Sequence, residues 1–417
     1  MTSTAEPALN PARAVAELRE LAELTGNEDG AQRVAWTDTW ATARRWMRER
    51  LGTIDGVTVE TDAAGNVWAV LPGEREDSVL MGGHIDSVPN GGWLDGALNV
   101  IGALEVLRAL SAARPPLTVK LVDWADEEGA RFGRSLMGSS AAAGTLRVEE
   151  VRDLTDRDGV ALSDALRAHG VEFEQMGDAH RSLAGARAYL ELHIEQGPAL
   201  EKLGLPLGVV LGTFGVERHA VRFRGRHAHA GATPMGVRQD AFLAAARAAL
   251  AFREDAARRE DVRATTGIVR VSPGIVTAFN GWCELSLDQR SLDQDVLADM
   301  LDQARSQSEA LAREEGCTVE WERVWQIEPI LFDPDLIELG EAAVTEVTGT
   351  SYRLPSGPLH DAASMAPLMP TVMLFVRSLG GVSHTKEEDT PVEDLEMSVR
   401  ALHGLALRTF EWASRPR

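Results

Sequence analysis

Cysteine is scarce in this sequence of 417 residues, and Cys283 and Cys317 are its only two examples. Two isolated cysteines are too few for a disulfide framework or for a cysteine-ligated zinc site. Basic residues are also in deficit, because 42 Lys and Arg stand against 64 Asp and Glu, for a formal net charge of −22. Nucleic acids and anionic membrane surfaces need a basic face, so this charge argues against both as partners.

Long apolar runs are missing as well. The stretch MTSTAEPALNPARAVAELRELAEL at the start has no apolar segment of the signal-peptide kind, and no run elsewhere is long enough to span a bilayer. We therefore expect a cytoplasmic protein without a membrane partner. Its composition, 44% hydrophobic and 25% charged, is typical of a globular protein, and its length predicts two domains.

The first 212 residues show the pattern of an α/β domain. Apolar residues recur at helical spacing over residues 11–24 and 37–51, and the apolar helix NVIGALEVLRALSAA lies between the strands SVLMGG and LTVKLVDW. This order is typical of a mostly parallel sheet flanked by helices. Functional sites of such sheets collect at the carboxyl ends of the strands.

From residue 213 to residue 328 the order changes to strand–helix–strand–strand–helix–strand. The first helix is predicted over ATPMGVRQDAFLAAARAALAFRED, which begins at Ala232, and the two strands after it over TTGIVRVSPGIVTAF and WCELSLDQRS. This order predicts a smaller, inserted, ferredoxin-like α+β domain. The catalytic domain would consist of residues 1–212 and resume as residues 329–417.

The segment MGGHIDSVPNGGWLDG places one imidazole and two carboxylates near a Gly-rich turn. His84 and Asp86 are two residues apart, so on an extended chain they point to the same side. A carboxylate in that position can accept the second ring N–H of a metal-bound imidazole. Asp95 follows after the glycines. Taken alone, the segment fits a solvated turn as well as a set of metal ligands.

Three more polar clusters follow predicted strands. Glu127 and Glu128 end an apolar strand, where two like charges gain little unless a cation lies nearby. One could bind a metal while the other stays free as a base, although solvated loop acids are the commoner fate of such a pair. His193 ends the strand of YLELHIEQGP, and His384 follows the strand TVMLFV. Four clusters at strand ends together favour a metal-dependent active site.

Several segments, in order along nearly the whole chain, resemble one protein family. They are GGHIDSVPNGGWLDGALNVIGALEVL, DEEGARFG, ELHIEQGPALE, HAGATPM, LDQRS and the SH of GGVSHTKEED. The sequence is similar to the amidohydrolase branch of the M20 metallopeptidase superfamily. That branch contains N-carbamoyl-L-amino acid hydrolases, β-ureidopropionases and allantoate amidohydrolases.

The resemblance implies two divalent metal ions in each subunit, for which zinc, manganese, cobalt and nickel are all suited by the mixed ligand types. His84 and His193 would hold one ion, Glu128 and His384 would hold the other, and Asp95 would bridge the two. The remaining implied roles fall to Asp86, which would orient His84, and to Glu127, which would be the general base.

The resemblance also implies substrate contacts. Gln196 would contact the substrate amide, Arg290 would grip a substrate carboxylate, and the retained His360 lies beside the site. His229 would come from the neighbouring subunit to stabilise the oxyanion. This last role implies a homodimer formed through the inserted domain, which would also act as a lid.

Two segments depart from the family pattern. In VTAFNGWCELSLDQR, Thr277 falls at the position of a substrate-binding Asn, whereas Asn280 takes the turn position, so both stay candidates. In LPSGPLHDAASM, Pro358 and Leu359 replace small residues beside the site and would reshape the pocket.

The implied reaction is hydrolysis of the C–N bond of an N-carbamoyl-L-amino acid, which releases the amino acid, carbon dioxide and ammonia. An allantoate or N-acyl-amino acid amidohydrolase would need the same metal site. A catalytically silent, dimeric binding protein is the alternative from another class. The free base at Glu127 speaks against it, since binding alone does not need a base.

Overall fold

The computed structural model describes residues 8–415 and divides the chain into two compact units. The first unit comprises the described residues up to Leu211 together with those from Phe332 onward, and the second comprises Gly212–Leu331. The predicted inserted segment, 213–328, lies within the second unit. Between residues 8 and 415, none of the helices combines the length and the apolar character that crossing a membrane requires.

The first unit is built on a mixed sheet. Its four central strands are parallel and neighbour one another in the order Thr371–Val376, Ala186–Ile194, Arg75–His84 and Leu117–Trp124. Seven of the eight residues of Leu117–Trp124 are buried, as expected of a strand covered on both faces. The predicted α/β fold with a parallel sheet is therefore confirmed for the centre of the sheet.

The outer strands of this sheet run antiparallel. Val67–Leu71 pairs with Leu117–Trp124 and then with Thr58–Thr61. At the other edge, Leu207–Thr213 pairs with Thr371–Val376 and is joined by Arg353–Ser356. Leu207–Thr213 continues into the second unit, where its end pairs with Ile330–Leu331. A separate two-stranded ribbon joins Gly26–Asn27 to Gly30–Ala31.

Several helices of the first unit begin at side-chain caps. Asn10 and Thr37 accept hydrogen bonds from the first turns of their helices, which confirms the two helices predicted near the N-terminus. The α-helices are Pro11–Thr25, Asp38–Leu51, Ala97–Leu110, Met137–Ala142, Val148–Val151, Leu162–Ala168, Ala199–Leu203, Pro334–Thr348, Asp361–Met365 and Val392–Ala413. Two segments, Phe173–Leu183 and Leu379–Gly381, are 3₁₀ helices.

The second unit has the predicted ferredoxin-like order. Its antiparallel sheet runs Arg263–Thr265, Trp282–Ser291, Gly215–Arg224 and Thr318–Ile327, and Val269–Ser272 also pairs with Trp282–Ser291. Helices Ala241–Ala257 and Gln294–Glu314 pack on each other and on this sheet. Phe223, Leu285 and Ala244 are among the buried residues of the core. Outside the sheet, Ala228–His229 pairs with Ala278–Phe279, and Met235–Val237 is a 3₁₀ turn.

Two local predictions for this unit were wrong. The helix predicted to begin at Ala232 begins at Ala241, because Pro234 and Gly236 precede it and the Asp240 side chain caps its first turn. The segment TTGIVRVSPGIVTAF was predicted as a strand. It is divided into Arg263–Thr265, Val269–Ser272 and Ala278–Phe279, since its two glycines and its proline interrupt the pairing.

Candidate metal centre

The predicted metal ligands of the first unit come from the four central strands. His84 and His193 lie at the ends of Arg75–His84 and Ala186–Ile194, whereas Glu128 and His384 lie in the segments after Leu117–Trp124 and Thr371–Val376. Because these strands are parallel neighbours, their carboxyl ends meet at one edge of the sheet. The fold therefore brings four distant parts of the sequence to one place.

Asp95 lies at the centre of this cluster, and its two carboxylate oxygens face different groups. Oδ1 lies 3.3 Å from His193 Nε2 and 3.9 Å from His84 Nε2. Oδ2 lies 3.3 Å from His384 Nε2, which is 3.4 Å from Glu128 Oε2. The ligand atoms of His84, Asp95 and His193 form one group within 4.8 Å, and those of Asp95, Glu128 and His384 form another.

The two buried histidines bond to the main chain through Nδ1, which leaves Nε2 for a metal ion. The Nδ1–H of His84 donates to the main-chain carbonyl of Asp86 at 3.1 Å, and that of His193 donates to its neighbour Ile194 at 2.8 Å. Both Nε2 atoms face Asp95. Imidazole nitrogens and carboxylate oxygens in such groups fit a first-row transition metal or zinc.

Asp86 contacts two parts of the site through different atoms. Its main-chain carbonyl orients His84, while its carboxylate lies 3.6 Å from His84 Nδ1, beyond hydrogen-bond distance. The carboxylate accepts instead from the main-chain N–H groups of Glu127 and Glu128, at 3.3 and 3.2 Å. Asp86 therefore holds the backbone of both glutamates.

The two glutamates face different parts of the cluster. Glu127, which is 7% exposed, places Oε2 3.8 Å from His84 Nε2, whereas Glu128 faces His384. Burial raises the pKa of Glu127 well above its usual value, with Glu128 adding to the rise and His84 opposing it. Burial and the charge of Asp95 raise the pKa of Glu128 to about 7. Several carboxylates lie close together here, and a bound divalent cation would neutralise their negative charge.

The predicted substrate residues of the first unit lie next to these groups. Gln196 has a left-handed backbone, with φ of 57°, and its Nε2 donates to Asp95 Oδ2 at 2.8 Å. His360 is buried against His193, with ring centroids 4.3 Å apart. Its Nε2–H donates to Ser356 Oγ at 2.9 Å, because the hydroxyl proton of Ser356 goes to the carbonyl of Pro358.

Four of the predicted residues belong to the second unit. The Nδ1 of His229 accepts from the main-chain N–H groups of Gly231 and Ala232, so the proton of this ring lies on Nε2. Arg290 Nε donates to Asp288 at 2.8 Å. Asn280 Oδ1 accepts from the main-chain N–H of Gly274, and the main-chain carbonyl of Thr277 accepts from Ala230, next to His229.

Sequence reasoning missed three residues that surround Asp95. Ser383 Oγ lies 3.1 Å from Asp95 Oδ2, Glu388 accepts from the main-chain N–H of Asp95, and the guanidinium of Arg33 donates to the carbonyl of Asp95. Ser383 and Glu388 stand in a polar run around His384 that reads as an exposed loop, and Arg33 lies far from any motif. The pair Gly91–Gly92 before Asp95 was the one visible signal of close packing.

Comparison with known proteins finds similar chains over most of this sequence. The sequence model of peptidase family M20/M25/M40 matches residues 80–408. The N-carbamoyl-L-amino acid amidohydrolase of Geobacillus stearothermophilus is 35% identical over 364 residues, covering 86% of this chain and 87% of that protein. The allantoate amidohydrolase of Escherichia coli is 32% identical over 392 residues, covering 92% and 93%. A crystal structure of a hydantoinase/carbamoylase family amidase from Burkholderia multivorans matches with a TM-score of 0.87 at 30% identity, covering 98% and 99%.

Proposed function

This chain belongs to peptidase family M20/M25/M40, as its motifs predict, and we propose that it hydrolyses the C–N bond of N-carbamoyl-L-amino acids. The relative with 35% identity is named for that reaction. The observation that carries the proposal is the placement of Asp95, whose two oxygens face two separate groups of potential ligands. A carboxylate in that position suits a bridge between two divalent ions.

The metal ions would be held by the five residues of the two groups, with Asp95 shared. Bound there, they would lower the pKa of a water molecule and polarise the carbonyl of the substrate. Glu127 is free for proton transfer, because it belongs to neither group and its Oε2 faces the His84 side of the cluster. It would take a proton from the attacking water as the new C–O bond forms at the carbamoyl carbon.

The same glutamate would complete the reaction. Once protonated, Glu127 would donate to the leaving nitrogen as the C–N bond breaks. The products would be the amino acid and carbamic acid, which decomposes to carbon dioxide and ammonia as its own C–N bond breaks. The buried position of Glu127 favours this cycle, because a raised pKa makes its carboxylate a better proton acceptor in the first step.

Several residues are proposed to contact the substrate. The guanidinium of Arg290 would grip the carboxylate of the substrate, and Gln196 and His360 would contact the substrate as well. Thr277 and Asn280 stay alternatives for a further contact. His229 would donate its Nε2–H to the oxyanion, in the tautomer that the N–H groups of its own loop select.

We further propose a homodimer formed through the second unit. The strand Val269–Ser272 is exposed at all four residues and has Trp282–Ser291 as its partner within residues 8–415, so its outer edge is open. Large apolar side chains are exposed on this strand and on either side of it in the sequence, up to 98% for Val276. The exposed set comprises Ile268, Val269, Val271, Ile275 and Val276.

Light scattering tests this dimer. Val269→Lys places a charge on the open edge, so we expect a monomer with little activity. Leu407→Lys changes a residue on the first unit that is also exposed, and we expect that variant to stay dimeric and active. An active monomer of the unchanged protein would contradict both the dimer and the proposed role of His229. Location in the cytoplasm stays a prediction.

The proposed reaction is tested on a substrate panel by release of ammonia and, for the N-acetyl compounds, by release of the free amino acid. Metal-stripped protein, with manganese, cobalt, nickel or zinc added back, would be offered N-carbamoyl-L-amino acids, allantoate and N-acetyl amino acids. Turnover of the carbamoyl compounds alone is the expected result, and it would also identify the active metal. Preferred turnover of allantoate would move the assignment to the reaction of the E. coli relative. Inactivity throughout, with metal bound, would favour a binding protein.

A further inference from the structure

Glu388 is a buried acid that joins two loops of the metal centre. It is 1% exposed and lies four residues after His384. Its Oε1 accepts from the main-chain N–H groups of Leu94 and Asp95, at 3.1 and 2.9 Å. Its Oε2 accepts from Ser383 Oγ at 2.7 Å. One carboxylate thus ties the loop that carries His384 to the loop that carries Asp95.

The chain makes room for this carboxylate at Gly92. A Cβ on Gly92 would lie 1.9 Å from Oε1 of Glu388 and 2.0 Å from its Cδ. No side chain fits in that space, so the approach of Glu388 requires glycine at this position. The contact with Glu388, which is distant in the sequence, therefore explains why a glycine stands at position 92.

Arg33 holds the same loop from its carbonyl side. This buried guanidinium donates to the main-chain carbonyls of Ile85 and Asp95, at 2.8 and 3.4 Å. Glu388 accepts from N–H groups at residues 94 and 95, so the backbone at Asp95 is fixed on both of its polar sides. The side chain of Asp95 then has little freedom to change the direction of its two oxygens.

We propose that Glu388 is a positioning residue that sets Asp95 relative to His384 and so controls metal binding on the Glu128 side of the centre. The proposal rests on the proposed function, because it requires the metal centre. His84 and His193 stand at strand ends that Glu388 does not contact. The loss of Glu388 should therefore weaken the Glu128 side most. Partners of this kind typically change metal affinity 10- to 100-fold.

Calorimetric titration of the metal-stripped, full-length protein with Mn²⁺ or Co²⁺ tests this role. We expect two binding steps in the unchanged protein. In Glu388→Ala one step should persist and the other should weaken about 10- to 100-fold. Glu388→Gln should be intermediate, because its amide oxygen still accepts from the backbone N–H groups. Glu387→Ala is the matched control, since Glu387 is exposed and bonds to Thr385; we expect no change.

A double-mutant comparison separates positioning from a general loss of structure. Gly92→Ala alone should weaken the same binding step, because its methyl group displaces the carboxylate. Added to Glu388→Ala, it should cost little more, since the space is then empty. Thermal unfolding of each metal-stripped variant checks that it is folded.

The outcomes distinguish this proposal from the proposed function. If Glu388→Ala binds each of the two ions as tightly as the unchanged protein does, the positioning role is overturned and the proposed function is left intact. An unchanged protein without two binding steps would overturn the metal centre itself. If Glu388→Ala does not fold, wild-type affinity in both Glu388→Gln and Gly92→Ala would equally overturn the positioning role.

Discussion

Replacement of Glu127 by Gln removes the proposed base while keeping the shape of the side chain. The main-chain N–H of Glu127 would still bond to Asp86, and the five proposed ligands would stay in place. A positioned general acid–base typically contributes between 10²- and 10⁴-fold to the rate. We therefore expect kcat to fall about 10³-fold, which corresponds to about 4 kcal/mol of transition-state stabilisation.

The neighbouring residue supplies the control. Glu128→Gln makes the same chemical change one residue away, but it alters a proposed ligand that lies 3.4 Å from His384 Nε2. We expect this variant to lose metal affinity by at least about tenfold, whereas Glu127→Gln should bind metal normally. The assay combines ammonia release with metal content after dialysis. A Glu127→Gln variant with more than about a tenth of normal turnover would refute the role of Glu127, and loss of metal from it would make Glu127 a ligand.

Further expected outcomes concern stability, metal and the second unit. Arg44→Met leaves the buried carboxylate of Asp123 without the guanidinium that lies 2.7 Å away. The free energy of unfolding, measured in urea, should therefore fall by about 3–5 kcal/mol, and a fall of less than about 1 kcal/mol would contradict this. Removal of the metal with EDTA should lower the midpoint of thermal unfolding, because an ion present at 100 times its Kd adds about 2.7 kcal/mol to the free energy of unfolding. An unchanged midpoint would count against the proposed metal centre. His229→Gln places an amide N–H near the position of the His229 Nε2–H, whereas the shorter side chain of His229→Asn does not reach that position. The kcat of His229→Gln should therefore be at least about ten times that of His229→Asn, and equal values would exclude donation from Nε2–H.

The positions of four of the proposed ligands could be predicted because each of them lies at or after the end of a strand with a clear pattern. The apolar runs around His84, Glu128, His193 and His384 identify buried parallel strands, and parallel strands end at one edge. The alternation in WCELSLDQRS likewise predicts the strand Trp282–Ser291 to the residue. These features depend on periodicity, which local sequence records directly.

The supports of the site could not be predicted, because they depend on contacts between distant segments. Glu388 is buried within a run of charged residues, HTKEEDTP, whose pattern is that of a solvated loop. The carboxylate of Asp86 was expected on the ring of His84, yet it bonds to the backbone of the glutamates. Local spacing shows that Asp86 and His84 share a side of the strand. It does not show which N–H groups from other segments bond to the carboxylate oxygens of Asp86.

The different tasks of Glu127 and Glu128 follow from how their backbone is held. Asp126, just before them, has a left-handed backbone with φ of 59°, and its carboxylate accepts from the indole N–H of Trp36 at 2.7 Å. Asp86 accepts from the N–H groups of both glutamates, so this turn is anchored on two sides. Adjacent side chains on such a fixed turn leave in different directions, one toward His84 and the other toward His384. A base and a metal ligand can therefore be neighbours in the sequence without competing for the same ion. For this reason, substitution of Glu127 should lower the turnover rate, whereas substitution of Glu128 should lower the metal affinity.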